Sequence, residues 1–213
     1  MIIINFKTYE KATGEDARKL GEVCRKVRNQ TDKEIIASPA AEDMLRLDHI
    51  DIPVFSQHVD SSEPGSHTGH TLIETVEKAG ATGTLLNHSE RRIPKEDIKK
   101  TVEKARQKDL KTVVCAQSPE ECEKLSKFNP DYIAYEPPEL IGGDKSVSDA
   151  HPELIQKAVR ASGDVPTLTG AGIKNTKDVA KSVELGCEGV LVASGVVKAD
   201  DQYEELMDLA KGL

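Results

Sequence analysis

The chain has 213 residues, with 29 Lys and Arg against 37 Asp and Glu and a net charge of -8. That length suits one large α/β barrel or two small domains, and the acidic balance excludes the basic surface of a nucleic-acid-binding protein. Aromatics make up only 3% of the residues, so the core must be built from Ile, Val, Leu and Ala.

Met1-Ile2-Ile3-Ile4-Asn5 lacks the basic start of a signal peptide. Its β-branched run reads as a buried strand that delivers Asn5 and Lys7 past its end. Thr13 with Asp16 forms a capping-box pattern, followed by Ala17, Leu20, Val23 and Val27 at helical spacing. A second strand, Glu34-Ile35-Ile36-Ala37, is ended by Ser38-Pro39. Met44, Leu45 and Leu47 predict a short helix, and Ile52-Pro53-Val54-Phe55-Ser56 a third strand. The polar segment over residues 57–70 is longer than a usual strand–helix loop and reads as functional or interfacial. Thr71 and Glu74 are expected to cap the next helix. Thr84-Leu85-Leu86 is strand four, delivering His88, and a helix follows from near Pro94. Thr112-Val113-Val114-Cys115 is strand five, with Ser118 and Glu121 capping its helix.

Strand six, Tyr132-Ile133-Ala134-Tyr135, ends on Glu136, because Pro137 and Pro138 have fixed φ and no N–H. A carboxylate at a strand tip, before a loop with a stiff start and Gly142-Gly143 at its far end, reads as a base under a lid. Leu154, Ile155, Ala158 and Val159 mark another helix. Pro166-Thr167-Leu168 is strand seven, followed by Thr169-Gly170-Ala171-Gly172 and a helix through Val179 and Val183. Gly189-Val190-Leu191-Val192 is strand eight, followed by Ala193-Ser194-Gly195, and Tyr203, Leu206 and Leu209 mark the closing helix. Eight strand–helix units without a linker predict one domain over residues 1–213, an α/β (β/α)8 barrel of eight parallel strands.

The residues just past barrel strands share one opening: Asn5, Lys7, Gln57, His88, Glu136, 170–172 and 193–195. They supply a cation, an imidazole and a carboxylate. Two glycine-bearing turns suit an anion, because such turns expose backbone N–H groups. His58, His67 and His70 match no metal-ligand spacing. Cys24, Cys115, Cys122 and Cys187 have no C-x-x-C spacing and are too few for a disulfide scaffold or zinc site, so a reducing interior is expected. No run approaches the ~20 apolar residues of a membrane span. The expected protein is cytoplasmic, without metal, cofactor, nucleic-acid or membrane partner.

N-F-K at residues 5–7, N-H-S-E-R-R at 87–92, Y-E-P and I-G within 135–142, G-A-G-I at 170–173 and V-A-S-G at 192–195 together resemble the triosephosphate isomerase family, most closely its compact archaeal type. The resemblance runs in order from end to end and implies a TIM barrel that interconverts dihydroxyacetone phosphate and D-glyceraldehyde 3-phosphate through an enediolate. Glu136 resembles the catalytic base, His88 the electrophile, Lys7 the charge-stabilising lysine with Asn5 beside it, and Glu90 the carboxylate near that lysine. Phe6, within the first of these motifs, is expected with Asn5 and Lys7 among the substrate-binding positions. Ile141 and Gly142 resemble the lid tip, and Gly172, Ala193 and Ser194 the phosphate-binding positions, with Gly170 shaping the turn. A short helix from near Ser89 is expected to keep His88 neutral.

Thr68 resembles the tip of a loop that enters a neighbouring subunit. The resemblance thus implies at least a dimer, with a homotetramer favoured, and residues 57–70 at the interface. Pro138-Glu139-Leu140 and Thr169-Gly170-Ala171-Gly172 depart from the family's Val-Trp-Ala and Tyr-Gly-Gly-Ser. The alternatives are another phosphosugar barrel, such as an epimerase, aldolase or synthase, and a non-catalytic phosphate-ligand sensor.

Overall fold

The computed structural model describes residues 1–137 and 152–213. The expectations for Pro138-Glu139-Leu140, Ile141, Gly142 and Gly143 lie outside the described residues. The strands are β1 Ile2–Asn5, β2 Ile35–Ser38, β3 Phe55–Ser56, β4 Gly83–Leu86, β5 Lys111–Ala116, β6 Tyr132–Tyr135, β7 Thr167–Thr169 and β8 Gly189–Val192. They form one sheet in the order β2-β1-β8-β7-β6-β5-β4-β3, with every pairing parallel. A parallel bridge from Ala37 to Val54 brings the two ends of that order together. The result is the expected (β/α)8 barrel, with helices α1 Glu15–Thr31, α2 Ile73–Lys78, α3 Lys95–Gln107, α4 Pro119–Ser126, α5 Pro152–Ser162, α6 Thr176–Glu184, α7 Ser194–Val197 and α8 Gln202–Ala210.

Strands buried on both faces must be apolar throughout, and their two-residue period splits the core. Met1, Ile3, Ile36, Phe55, Leu85, Val113, Cys115, Ala134, Leu168 and Leu191 fill the barrel. Ile2, Ile4, Ile35, Ala37, Leu86, Val114, Ile133, Val190 and Val192 face the helices. On α1, Ala17, Leu20, Cys24 and Val27 are buried at steps of three and four, the stripe that meets this outer layer.

Four local expectations are corrected. β3 is shorter than Ile52 to Ser56: Pro53 has no N–H to give a ladder, and only its carbonyl is used, accepting from Ala37 at 3.0 Å. The helix expected at Met44 is a 3-10 segment, Ala41–Arg46. Its three-residue turn aligns Met44 with Leu47 inside and leaves Leu45 67% exposed. Thr13 does not cap α1, whose N-cap is Gly14 at φ 60°. The Gly14 N–H donates to Asp43 Oδ2 at 2.9 Å, and the Thr13 hydroxyl turns back to the Glu10 carbonyl. Thr71 likewise caps nothing: its N–H is held by Asp60 Oδ2 at 2.7 Å, and Leu72 is the N-cap of α2. In both places a carboxylate from another segment holds an N–H just before the helix, and no side chain caps the first turn. Ser118 does cap α4, accepting from the Glu121 N–H.

At the lower end of the barrel, Phe55 occupies the space beside Gly83, where an added Cβ would lie 2.5 Å from the ring. Gly83→Ala is therefore expected to cost about 1–3 kcal/mol through overpacking, read as a lower urea midpoint. Adding Phe55→Leu should recover part of that loss, whereas an unchanged midpoint in the single variant would mean the ring swings aside freely.

Candidate active site

The pleat decides what lines the upper mouth. Two residues beyond the barrel-filling layer, the same face carries Asn5, Ser38, Gln57, Asn87, Cys115, Glu136, Gly170 and Ala193. The layer below is apolar, whereas this one carries amides, a hydroxyl, a thiol and a carboxylate. A cleft of about 390 Å³ opens there, lined among others by Asn5, Lys7, His88, Glu136, Gly170 and Ser194.

Glu136 is 3% exposed at the tip of β6. Its N–H continues the ladder to the Ala116 carbonyl at 2.8 Å. Its Oε1 lies 3.3 Å from His88 Nε2, and Oε2 is buried without a hydrogen-bond partner among the described residues. Gly170 makes room for it: a Cβ there would lie 2.4 Å from Glu136 Cγ. The Cys115 thiol is pushed well above its ordinary pKa by burial, with the neighbouring Glu136 charge adding to the effect.

His88 sits on a turn, so the helix expected from near Ser89 is corrected. The chain turns through Ser89 and Glu90 and enters α3 only at Lys95. Pro94 stands as the N-cap of α3, and the residue before a proline is biased away from helical backbone. The turn itself orients the ring, with the Glu90 N–H donating to His88 Nδ1 at 3.2 Å. A ring nitrogen that accepts carries no proton, so the imidazole proton lies on Nε2, facing Glu136.

Lys7 adopts a left-handed φ of 49°. Its N–H is held by Asn5 Oδ1 at 3.0 Å, and its carbonyl accepts from Gln57 Nε2 at 2.9 Å. Its ammonium pairs with Glu90 Oε1 at 2.7 Å. Phe6, between Asn5 and Lys7, is fully buried and packs in the outer core; unlike its neighbours it does not line the cleft.

The other side of the cleft is backbone. Gly172, at φ 68°, belongs to the turn after β7. Asn175 closes that turn by capping α6 through the N–H groups of Lys177 and Asp178. After β8, Ala193 is the N-cap of α7, and the first helical turn leaves N–H groups at Ser194 and Gly195 without intrahelical partners. Gly170, Gly172, Ala193 and Ser194 thus share the cleft with Lys7, His88 and Glu136, while Ile141 and Gly142 fall outside the described residues.

Sequence reasoning passed over Ser38, Asn87 and Cys115. Counting two residues past Ile36, Leu85 and Val113 would have placed all three at the mouth. No group of three or more His, Cys, Asp or Glu side chains among the described residues is placed to hold a metal. Among the same residues, no helix is long and apolar enough to cross a membrane.

Fold and site define a β/α-barrel enzyme with a buried carboxylate–imidazole pair facing a cation and two glycine-bearing turns. The family model described as triosephosphate isomerase matches residues 1–211. Relatives carrying that name include those of Methanothermus fervidus, 44% identical over 98% of this chain and 96% of the relative; Methanocaldococcus jannaschii, 41% over 99% of each; and Methanopyrus kandleri, 44% over 100% and 97%. The chain belongs to the triosephosphate isomerase family.

Gly170→Ala should lower kcat in that family's reaction by on the order of 10²-fold, because the new methyl displaces Glu136. Steady-state kinetics on the purified variant checks this; a variant with full kcat would mean the carboxylate stands elsewhere during turnover.

Proposed function

We propose that this chain interconverts dihydroxyacetone phosphate and D-glyceraldehyde 3-phosphate with Glu136 as the base, His88 and Lys7 as the groups that stabilise charge on oxygen, and Asn5 and Glu90 as supports of Lys7. One observation carries the assignment: a buried carboxylate oxygen lies 3.3 Å from an imidazole Nε2 whose ring is oriented by the Glu90 N–H. Substrate enters between these two groups and replaces their contact. Glu136 takes a carbon-bound proton while the adjacent carbonyl oxygen gains negative charge. His88 donates its Nε2–H to that oxygen and the Lys7 ammonium faces it. Donors fixed before the charge appears need no reorganisation as it forms. Glu136 then returns the proton to the neighbouring carbon. These residues leave no step for a metal or organic cofactor. No observation favours an epimerase, an aldolase or a sensor, and a sensor would have no use for a base at the tip of β6.

The phosphate end of the substrate rests on backbone. Gly172, Ala193 and Ser194 present N–H groups to the dianion, and Gly170 keeps the turn clear of Glu136. Ile141 and Gly142, which lie outside the described residues, are proposed as further phosphate contacts on the family resemblance alone. Phe6 serves by anchoring Asn5 and Lys7 to the core.

The chain is proposed to act in the cytoplasm as a homo-oligomer, at least a dimer and preferably a tetramer, joined through residues 57–70 with Thr68 at the tip. Residues 63–70 are all exposed, yet the base of the loop is tightly held. The Asp60 N–H donates to the Thr71 carbonyl at 2.7 Å, His58 Nε2 lies 3.1 Å from Asp60 Oδ1, and Lys104 donates to the Ser62 carbonyl at 2.8 Å. Ordering eight exposed residues costs conformational entropy that a solitary loop does not recover. A second subunit offers the contacts that do.

A coupled assay on the purified protein tests the reaction, and Glu136→Asp tests the role. Shortening the carboxylate by one methylene while leaving the phosphate contacts should lower kcat at least 10²-fold with little change in KM. A fall in thermal stability with kcat preserved would remove Glu136 from the role of base. Light scattering at assay concentration should give at least the mass of a dimer; full activity from a monomer would end the oligomer proposal.

A further inference from the structure

Asn87 immediately precedes His88 and has a φ of 59°. This left-handed conformation is uncommon outside glycine, although Asn adopts it more readily than most residues. Its side chain is 2% exposed and makes one hydrogen bond through each of its two polar atoms. Nδ2 donates to the Cys115 carbonyl at 2.9 Å, and Oδ1 accepts from the Ile93 N–H at 3.2 Å. The Asn87 carbonyl accepts from Arg92 Nη1 at 3.2 Å. Arg92 in turn pairs through Nη2 with Glu121 Oε1 in the first turn of α4, and Glu121 Oε2 accepts from the Gln117 N–H at 2.8 Å. Burial pushes the Glu121 carboxyl up, but the Arg92 hydrogen bond and the Gln117 N–H outweigh it and hold the group below its ordinary value.

These contacts share one support. The Asn87 side chain grips Cys115, and the Glu136 N–H grips the next residue, Ala116, at 2.8 Å. The imidazole and the carboxylate are therefore both tied to the end of β5, one through an amide side chain and one through the ladder. His88 Nε2 and Glu136 Oε1 lie 3.3 Å apart above that shared support. The His88 turn has no regular structure of its own until Lys95, so backbone ladders do not provide the first of these ties.

We infer that Asn87 is a positioning residue for His88, holding the imidazole at its working distance from Glu136 by pinning a left-handed turn to the end of β5. It touches neither substrate nor the reacting atoms. The inference rests on the proposed isomerase roles of His88 and Glu136 and adds how their separation is maintained.

Two substitutions separate the pin from the backbone shape. Asn87→Asp keeps the acceptor for the Ile93 N–H and tolerates the left-handed φ, but it loses the donor and sets an anionic oxygen against the Cys115 carbonyl. Asn87→Gly keeps the φ and loses both side-chain bonds. In each folded variant, kcat should fall by roughly tenfold to a hundredfold with KM within about twofold, because a small misplacement of one reacting partner is costly while the phosphate contacts remain. The His88 side-chain 15N spectrum, recorded without substrate, should show one tautomer protonated on Nε2 in the natural chain and a mixture in both variants. A merely structural role for Asn87 would lower the urea midpoint and leave kcat and the spectrum as they were, which overturns the inference. An unchanged spectrum in both variants overturns it whatever happens to kcat, and an altered spectrum with full kcat does the same. Should the natural chain lack isomerase activity, the functional reading fails by itself, and the spectra alone decide whether Asn87 pins the turn.

Discussion

A carboxylate held out of water at the tip of a strand is costly unless its surroundings are arranged for it, and the upper half of this barrel is arranged around Glu136. One of its oxygens meets His88 Nε2, and the other is buried without a hydrogen-bond partner among the described residues. The adjacent strand places a glycine where any side chain would collide with the Glu136 methylene. Below it lies the apolar layer of Leu168, Ala134 and Val113. The group is thus buried and incompletely satisfied, a condition that a proton acceptor can use.

The same two-residue period that fills the barrel with Ile3, Leu85 and Ala134 delivers Asn5, Asn87 and Glu136 to its mouth. Core and site are one pattern read at two heights, and for that reason much of the molecule was legible in its sequence. Parallel strands covered on both faces have to be continuous apolar runs, so Ile2-Ile3-Ile4 and Gly189-Val190-Leu191-Val192 stand out without reference to any partner. Glu136 was legible too, because two prolines end the ladder directly behind it. Lys7, His88 and Glu136, which lie far apart in the chain, line one cleft because each follows a strand of the same closed sheet.

What local spacing misplaced depends on partners distant in sequence. Thr13 and Thr71 look like caps until Asp43 and Asp60 occupy the N–H groups beside them. β3 looks like five residues until Pro53 withholds its N–H from β2. The neutral imidazole was expected from a helix dipole, whereas the structure supplies a single N–H from Glu90 to Nδ1. The difference matters physically: a dipole lowers basicity over a whole turn, while one donor selects which ring nitrogen carries the proton. The engagement of Asn87 with Cys115 and Ile93 was equally invisible, since a residue joined to two other segments leaves no periodic trace.

If Glu136 shuttles a proton between adjacent carbons, that proton must sometimes exchange with water while it resides on the carboxyl group. The most direct measurement is to turn dihydroxyacetone phosphate over with the natural chain in deuterated water and examine substrate and product by NMR. The account predicts deuterium bound to carbon at the positions next to the carbonyl, appearing only with active enzyme. Full turnover without detectable carbon-bound deuterium under any condition would contradict it, because the hydrogen would then pass between the carbons without ever residing on Glu136.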